Sequence, residues 1–283
     1  MKRFLIVVPL MLLLICLTAD AQWRSKTHDV YNALTGLEIE IDGNLDEWDG
    51  VLDAVKGTNG EPFCGVEFQN ADGNERAFEE HGGGKWDGPD DHTTCFMIVW
   101  DSEAIYLALS VTDDEHQNGG GNAWSGDGAQ ISFDPTGERK AGTNIYLYNG
   151  AVDQSAKNII PAHLNERVHG SPGLDIETDL AIVRDESAKK TYYEFRFTAE
   201  NLQIKGDKFS EGDEIGLDVC VNDGDLGAGQ NGQKGWSGWY PHAVVFGKNS
   251  EKTGLVVLSD TAVTPVEPNG KLTTTWGNVK SSR

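Results

Sequence analysis

Alternating apolar and polar positions run through most of this chain, and long stretches of helical period are missing. Leu37, Ile39 and Ile41 alternate with Glu38 and Glu40, and Asp42-Gly43 closes that segment with a turn. Residues 96–100 lead through Asp101, Ser102 and Glu103 to residues 105–111. The polar turn between branched and aromatic flanks predicts a hairpin. Further strands are predicted at 129–133, 144–148, 180–184, 192–197, 215–222 and 254–258. Within 215–222, Ile215, Leu217, Val219 and Val221 fall on one face, and Asp218, Cys220 and Asn222 on the other. Residues 198–202 fit a single helical turn. About ten short strands with little helix predict an all-β fold, two antiparallel sheets packed as a sandwich of jelly-roll or immunoglobulin-like type. A parallel sheet would need crossover helices that this pattern lacks.

The flanks read differently. Residues 1–21 have the form of a secretory signal: Lys2 and Arg3, an apolar run over 4–17, and Ala19-Asp20-Ala21 as a small-x-small cleavage site. The run of about 14 apolar residues is shorter than the roughly 20 a membrane helix needs. Ile15, ahead of Cys16, is too bulky for a lipoprotein signal. No later segment is apolar enough to span a bilayer, so the mature chain is expected to be secreted, periplasmic or held at the cell surface. Residues 22–36 are expected to be a lead-in, 37–260 the sandwich, and 261–283 an extension holding a Pro-rich link and Trp276. Residues 57–92 show no period and read as a long insertion, a kind of loop that is usually functional.

Charge narrows the function classes. The formal charge is -22, with 45 acidic against 23 basic residues, which excludes nucleic acid and anionic lipid as partners. After cleavage three cysteines remain, and export permits one disulfide. Cys64 and Cys95 flank the insertion, and pairing them would staple it to the sheet, leaving Cys220 free. Asp42, Asp46 and Glu47 are paired carboxylates of the kind glycosidases use, but in so acidic a chain such pairs arise by chance. The histidines, among them His81, His92, His116, His163, His169 and His242, have no metal-site spacing. No nucleophile elbow, phosphate loop or dinucleotide fingerprint is present, so no organic cofactor is expected.

An ordered set of segments resembles the family 9 carbohydrate-binding modules and their DOMON-like relatives. The set comprises Ile41-Asp-Gly-Asn-Leu-Asp-Glu-Trp48, Trp100-Asp101, Ile105-Tyr106-Leu107 with Val111-Thr-Asp-Asp114, and Trp124-Ser-Gly-Asp-Gly-Ala-Gln-Ile-Ser-Phe-Asp134. Tyr193-Glu-Phe-Arg-Phe197, residues 212–223 and Thr253-Gly254-Leu255 complete it. The resemblance implies a sugar gripped between two tryptophans, with polar side chains reading its hydroxyls. Trp124 stands at one clamp position. The stretch that carries the second clamp has no tryptophan here, only Phe246 followed by Gly247, and Trp236 and Trp239 are the nearest replacements. Asp127, Gln130, Asn144, Tyr146 and Asn222 are the expected polar contacts. Gln130 stands where a glutamate is common, and Cys220 where sugar-binding members offer a glutamine. Acidic loops bind calcium in relatives, which makes Asp113 and Asp114, with Asp127, candidate calcium ligands.

The expected function is that of a non-catalytic, monomeric binder of poly- or oligosaccharide. Two alternatives stand beside it. One is a haem-binding electron-transfer domain, for which Met97 is the one methionine after the signal. The other is a polysaccharide-degrading enzyme using the 57–92 insertion as its active-site loop.

Overall fold

The computed structural model describes residues 24–119, 122–164, 173–225 and 232–264. The expected signal segment, most of the 261–283 extension and His169 lie outside them. In chain order the first strands are β1 (Val30–Thr35), β2 (Phe68–Gln69), β3 (Glu75–Arg76), β4 (Phe78–Glu80), β5 (His92–Trp100), β6 (Ala104–Asp113) and β7 (Gly128–Asp134). They are followed by β8 (Tyr146–Val152), β9 (Ile159–Leu164), β10 (Leu180–Asp185), β11 (Lys190–Thr198), β12 (Glu214–Gly224), β13 (Gln233–Trp239) and β14 (Gly254–Ala262). Among the described residues helix is limited to one short α-turn, α1 (Val51–Ala54), and three 3-10 turns.

Two layers face one another. One runs β10-β11-β6-β5, the other β14-β12-β7-β8-β9, and β1 joins them by pairing in parallel with both β5 and β14. The other strand pairs are antiparallel, so the expected two-layer all-β sandwich is present, with a minor parallel element at β1. The hairpin predicted at 96–111 is β5 and β6, with Phe96 opposite Leu109. The core between the layers is aromatic: Phe133 lies 4.6 Å from Phe197, Tyr148 lies 5.2 Å from Phe197, and Phe195 stacks on Phe197.

β12 organises the second layer. Its first half pairs with β14 (Ile215 opposite Val256), and its second half pairs with β13 (Asn222 opposite Trp236). β7 runs along the other side, with Gln130 opposite Cys220. The period-two pattern holds, since Ile215, Leu217, Val219 and Val221 enter the core. The opposite face, carrying Asp218, Cys220 and Asn222, is buried as well.

Some local expectations shift. Residues 37–41 join no ladder, because β1 from the expected lead-in already occupies the place between β5 and β14. Leu37 and Ile39 instead pack half-buried against a small cluster around Trp48, Val51 and Met97. The strand expected at 144–148 begins at Tyr146. The 57–92 insertion contains β2, β3 and β4, and the Cys64–Cys95 disulfide fastens it to β5. Cys220 is free and buried. Among the described residues no helix is long and apolar enough to cross a membrane.

Candidate functional site

The turns that leave β4 and β13 set an aromatic groove over the polar face of β7 and β12. β4 pairs with β13, placing Glu79 opposite Trp236 and bringing His81 beside the indole, 5.0 Å between ring centroids. The chain then turns through Pro241–Ala243 and returns with Phe246, whose ring meets Trp236 at 5.6 Å and 78°. Trp124 closes the opposite side. Gln233 Nε2 donates to its carbonyl at 2.5 Å, tying the Trp124 loop to β13. The resulting groove of about 180 Å³ is lined by His81, Trp124, Gln130, Gln233, Trp236, Val244, Val245, Phe246 and Lys248.

The groove joins exposed apolar surface to buried polar atoms without partners. Phe246 is 49% exposed, an unusual place for so large a ring, and Trp124 is half-buried. Trp236 is buried, yet its indole Nε1 has no hydrogen-bond acceptor. Gln130 Nε2 donates to Asn222 Oδ1 at 3.0 Å, which leaves Asn222 Nδ2 without a partner. Beneath them Asp218 Oδ1 accepts from the Ser132 backbone N–H at 2.9 Å, while Asp218 Oδ2 is unpartnered. Burial pushes the Asp218 carboxyl well above the usual carboxylate range. A groove with apolar ring surface, amide groups on its floor and spare hydrogen-bonding capacity suits a ligand with C–H faces and hydroxyls.

The structure brings Trp124, Gln130 and Trp236 together around this groove, with Asn222 directly below. It does not bring the other expected residues there. Trp239 is 1% exposed in the core, donating from Nε1 to the His28 carbonyl at 2.5 Å. Gly254 makes room for it, since a Cβ there would lie 2.2 Å from the indole. Asn144 is exposed and Tyr146 is buried, donating to Gln203 at 2.8 Å, and both border a separate groove with Pro135 and Thr136. Asp127 is buried behind the Trp124 loop, where its carboxylate accepts from the backbone N–H groups of Gln117 and Gly224. Asp113 is buried beside Arg184, and Asp114 is exposed.

His81, Gln233 and Lys248 were not among the expected site residues. Neither was Phe246, although it occupies the stretch where the resemblance implies a second clamp. That aromatic was the available signal. His81 comes from the insertion, whose course no period discloses. Met97 is buried among Trp48, Val51, Val99 and Ala108. Glu194 accepts from the Trp48 indole at 2.8 Å and from the Asp42 and Gly43 backbone N–H groups, so the Asp42–Trp48 turn is held by a carboxylate from β11.

Comparisons with known proteins bear on the fold and the family. Among solved structures, a family 9 carbohydrate-binding module from Caldicellulosiruptor kristjanssonii in complex with cellotriose superposes with a TM-score of 0.55 at 16% identity, covering 84% of this chain and 100% of that one. A module of the same family and organism in complex with glucose gives a TM-score of 0.55 at 15% identity, with the same coverage. No curated protein matches the chain. The model of the carbohydrate family 9 binding domain-like family matches residues 67–261, most of the sequence, and the chain belongs to that family.

Proposed function

We propose that this protein is an exported, non-catalytic carbohydrate binder that packs a saccharide between Trp124 and the Trp236–Phe246 pair. Export rests on the signal-like residues 1–21. The observation that carries the binding reading is the convergence of Trp124, Trp236 and Phe246 on one groove that Gln130 also lines, its amide held by the buried Asn222 behind it. Half-exposed aromatic surface on Trp124 and Phe246 offers a pyranose C–H face a platform, and the Gln130, Gln233 and Lys248 side chains that line the groove offer hydrogen-bonding groups. Family membership supports the ligand class, and the glucose and cellotriose held by the neighbouring structures make gluco-oligosaccharides the first ligands to try. Titration of the purified protein with glucose, cello-, xylo- and manno-oligosaccharides and algal polysaccharide fragments, followed by tryptophan fluorescence, tests the reading. A saturable change with at least one sugar is expected. A flat response to all of them contradicts it.

A further inference from the structure

Behind the Trp124 loop, outside the groove, three side chains converge. Asp113 ends β6, His116 follows on the loop, and Asp127 precedes β7. One ligand atom from each lies within 4.8 Å of the other two. His116 Nδ1 is 3.3 Å from Asp127 Oδ2 and 3.7 Å from Asp113 Oδ2. In a tetrahedral centre with bonds of roughly 2.0–2.1 Å, donor atoms stand about 3.4 Å apart, so these separations match the edges of such a site.

Two further observations point to a ligand. His116 Nε2 lies 3.0 Å from the Val152 carbonyl, an acceptor only, so Nε2 carries a proton and Nδ1 faces the carboxylates. That Nδ1 makes no hydrogen bond, although the side chain is 1% exposed. Next to it His92, also 1% exposed, has neither ring nitrogen hydrogen-bonded, and its Nδ1 is 3.3 Å from Asp223 Oδ1. Among the described residues, the buried carboxylates of Asp113, Asp127 and Asp223 have one guanidinium beside them, Arg184 on Asp113, which leaves two negative charges for a cation or the two imidazoles to meet. One divalent cation meets both while the imidazoles stay neutral.

The outer contacts have the form that metal ligands require. Asp113 accepts from the Glu115 N–H at 2.9 Å and from Arg184 at 3.3 Å, Asp127 accepts from the Gly224 N–H at 2.6 Å, and His116 is oriented by Val152. Gly126 permits the turn, because its φ is +115° and a Cβ would lie 2.1 Å from the Gln117 carbonyl. Calcium, the metal expected from resemblance, does not fit this donor set. It takes about six to eight oxygens, whereas the trio supplies an imidazole and two carboxylates, and the exposed Asp114 stands outside it.

We propose that Asp113, His116 and Asp127 form an imidazole–carboxylate site for a zinc-like divalent cation, tying the end of β6 to the start of β7 and fixing the loop that bears Trp124. The proposal is independent of the sugar reading. Untagged protein stripped with a chelator is titrated calorimetrically with Zn²⁺ and separately with Ca²⁺. Binding of one zinc equivalent about 100-fold tighter than calcium is expected, weakened about 100-fold in His116→Gln and in Asp127→Asn. Co²⁺ should give the intense visible absorption of a four-coordinate centre in the wild type only. Absence of zinc binding by the wild type overturns the proposal and leaves the trio as a charge network neutralised by two imidazoliums. A calcium preference overturns it as well, as does undiminished zinc binding by folded His116→Gln. The wild-type titration and the cobalt spectrum keep the test decisive even if both variants fail to fold.

Discussion

The two faces of β12 are both closed to solvent, yet they are built on opposite principles. On one, Ile215, Leu217, Val219 and Val221 meet the aromatic core, where apolar burial is its own driving force. On the other, Asp218, Cys220 and Asn222 lie with Gln130 and Ser132 of β7, and Asp218 Oδ2 and Asn222 Nδ2 have no partners. Each such orphan costs about 1–3 kcal/mol. The tryptophans of β13 sort by the same alternation. Trp239 joins the apolar side with its N–H satisfied, and Trp236 joins the polar side with its N–H unsatisfied. One face therefore supplies stability, and on the proposed function the other lies beneath the recognition groove.

Breaking the apolar side gives the largest effect. Phe197→Ala should cost about 3–5 kcal/mol in urea denaturation, because the ring contacts Phe133, Tyr148 and Phe195 and leaves a cavity. Sugar affinity of the folded fraction should stay within about twofold. Trp124→Ala reverses the pattern: affinity should fall about 30-fold, roughly 2 kcal/mol, while stability changes by about 0.5 kcal/mol or less. If Trp124→Ala instead unfolds the protein with affinity intact, the division between the faces fails.

A smaller effect depends on pH. Burial raises the folded pKa of Asp218, so the native state keeps a proton that the unfolded chain releases above about pH 4. Stability from this group is full below the unfolded value and falls as pH rises toward the folded one, by roughly 1 kcal/mol per pH unit. Asp218→Asn keeps an oxygen for Ser132 and removes the titration, so its advantage over wild type should grow as pH rises above about 4. Parallel urea midpoints for the two proteins would remove Asp218 from the account. The smallest effect is expected at Asp114→Asn. This exposed carboxylate should change stability and sugar affinity by less than about 0.5 kcal/mol.

How much of this was legible in the sequence follows from the same contrast. Alternation reports which residues share a face, and it gave β5, β6 and β12 together with their inward side chains. It does not report whether the second face is covered, so Cys220 and Asn222 read as outward positions although both are buried. Nor does it report where a loop returns. His81 and Phe246 reach the groove through β4 and the turn at Pro241–Ala243, which carry no periodic signal. Trp236 and Trp239, three positions apart, fall on opposite faces of a strand, and the pairing of β13 with β12 decides which of them enters the core. The lead-in concealed β1 for a related reason: its place in the ladder is created by β5 and β14, which lie far along the chain.

The central claim is that sugar enters between Trp124 and Trp236 and leaves the core tryptophans untouched. Indole N–H resonances, assigned by single Trp→Phe substitutions and followed during saccharide titration, address it directly. Shifts at Trp124 and Trp236 with Trp48 and Trp239 unmoved are predicted. Saturable binding that moves neither Trp124 nor Trp236 would contradict it.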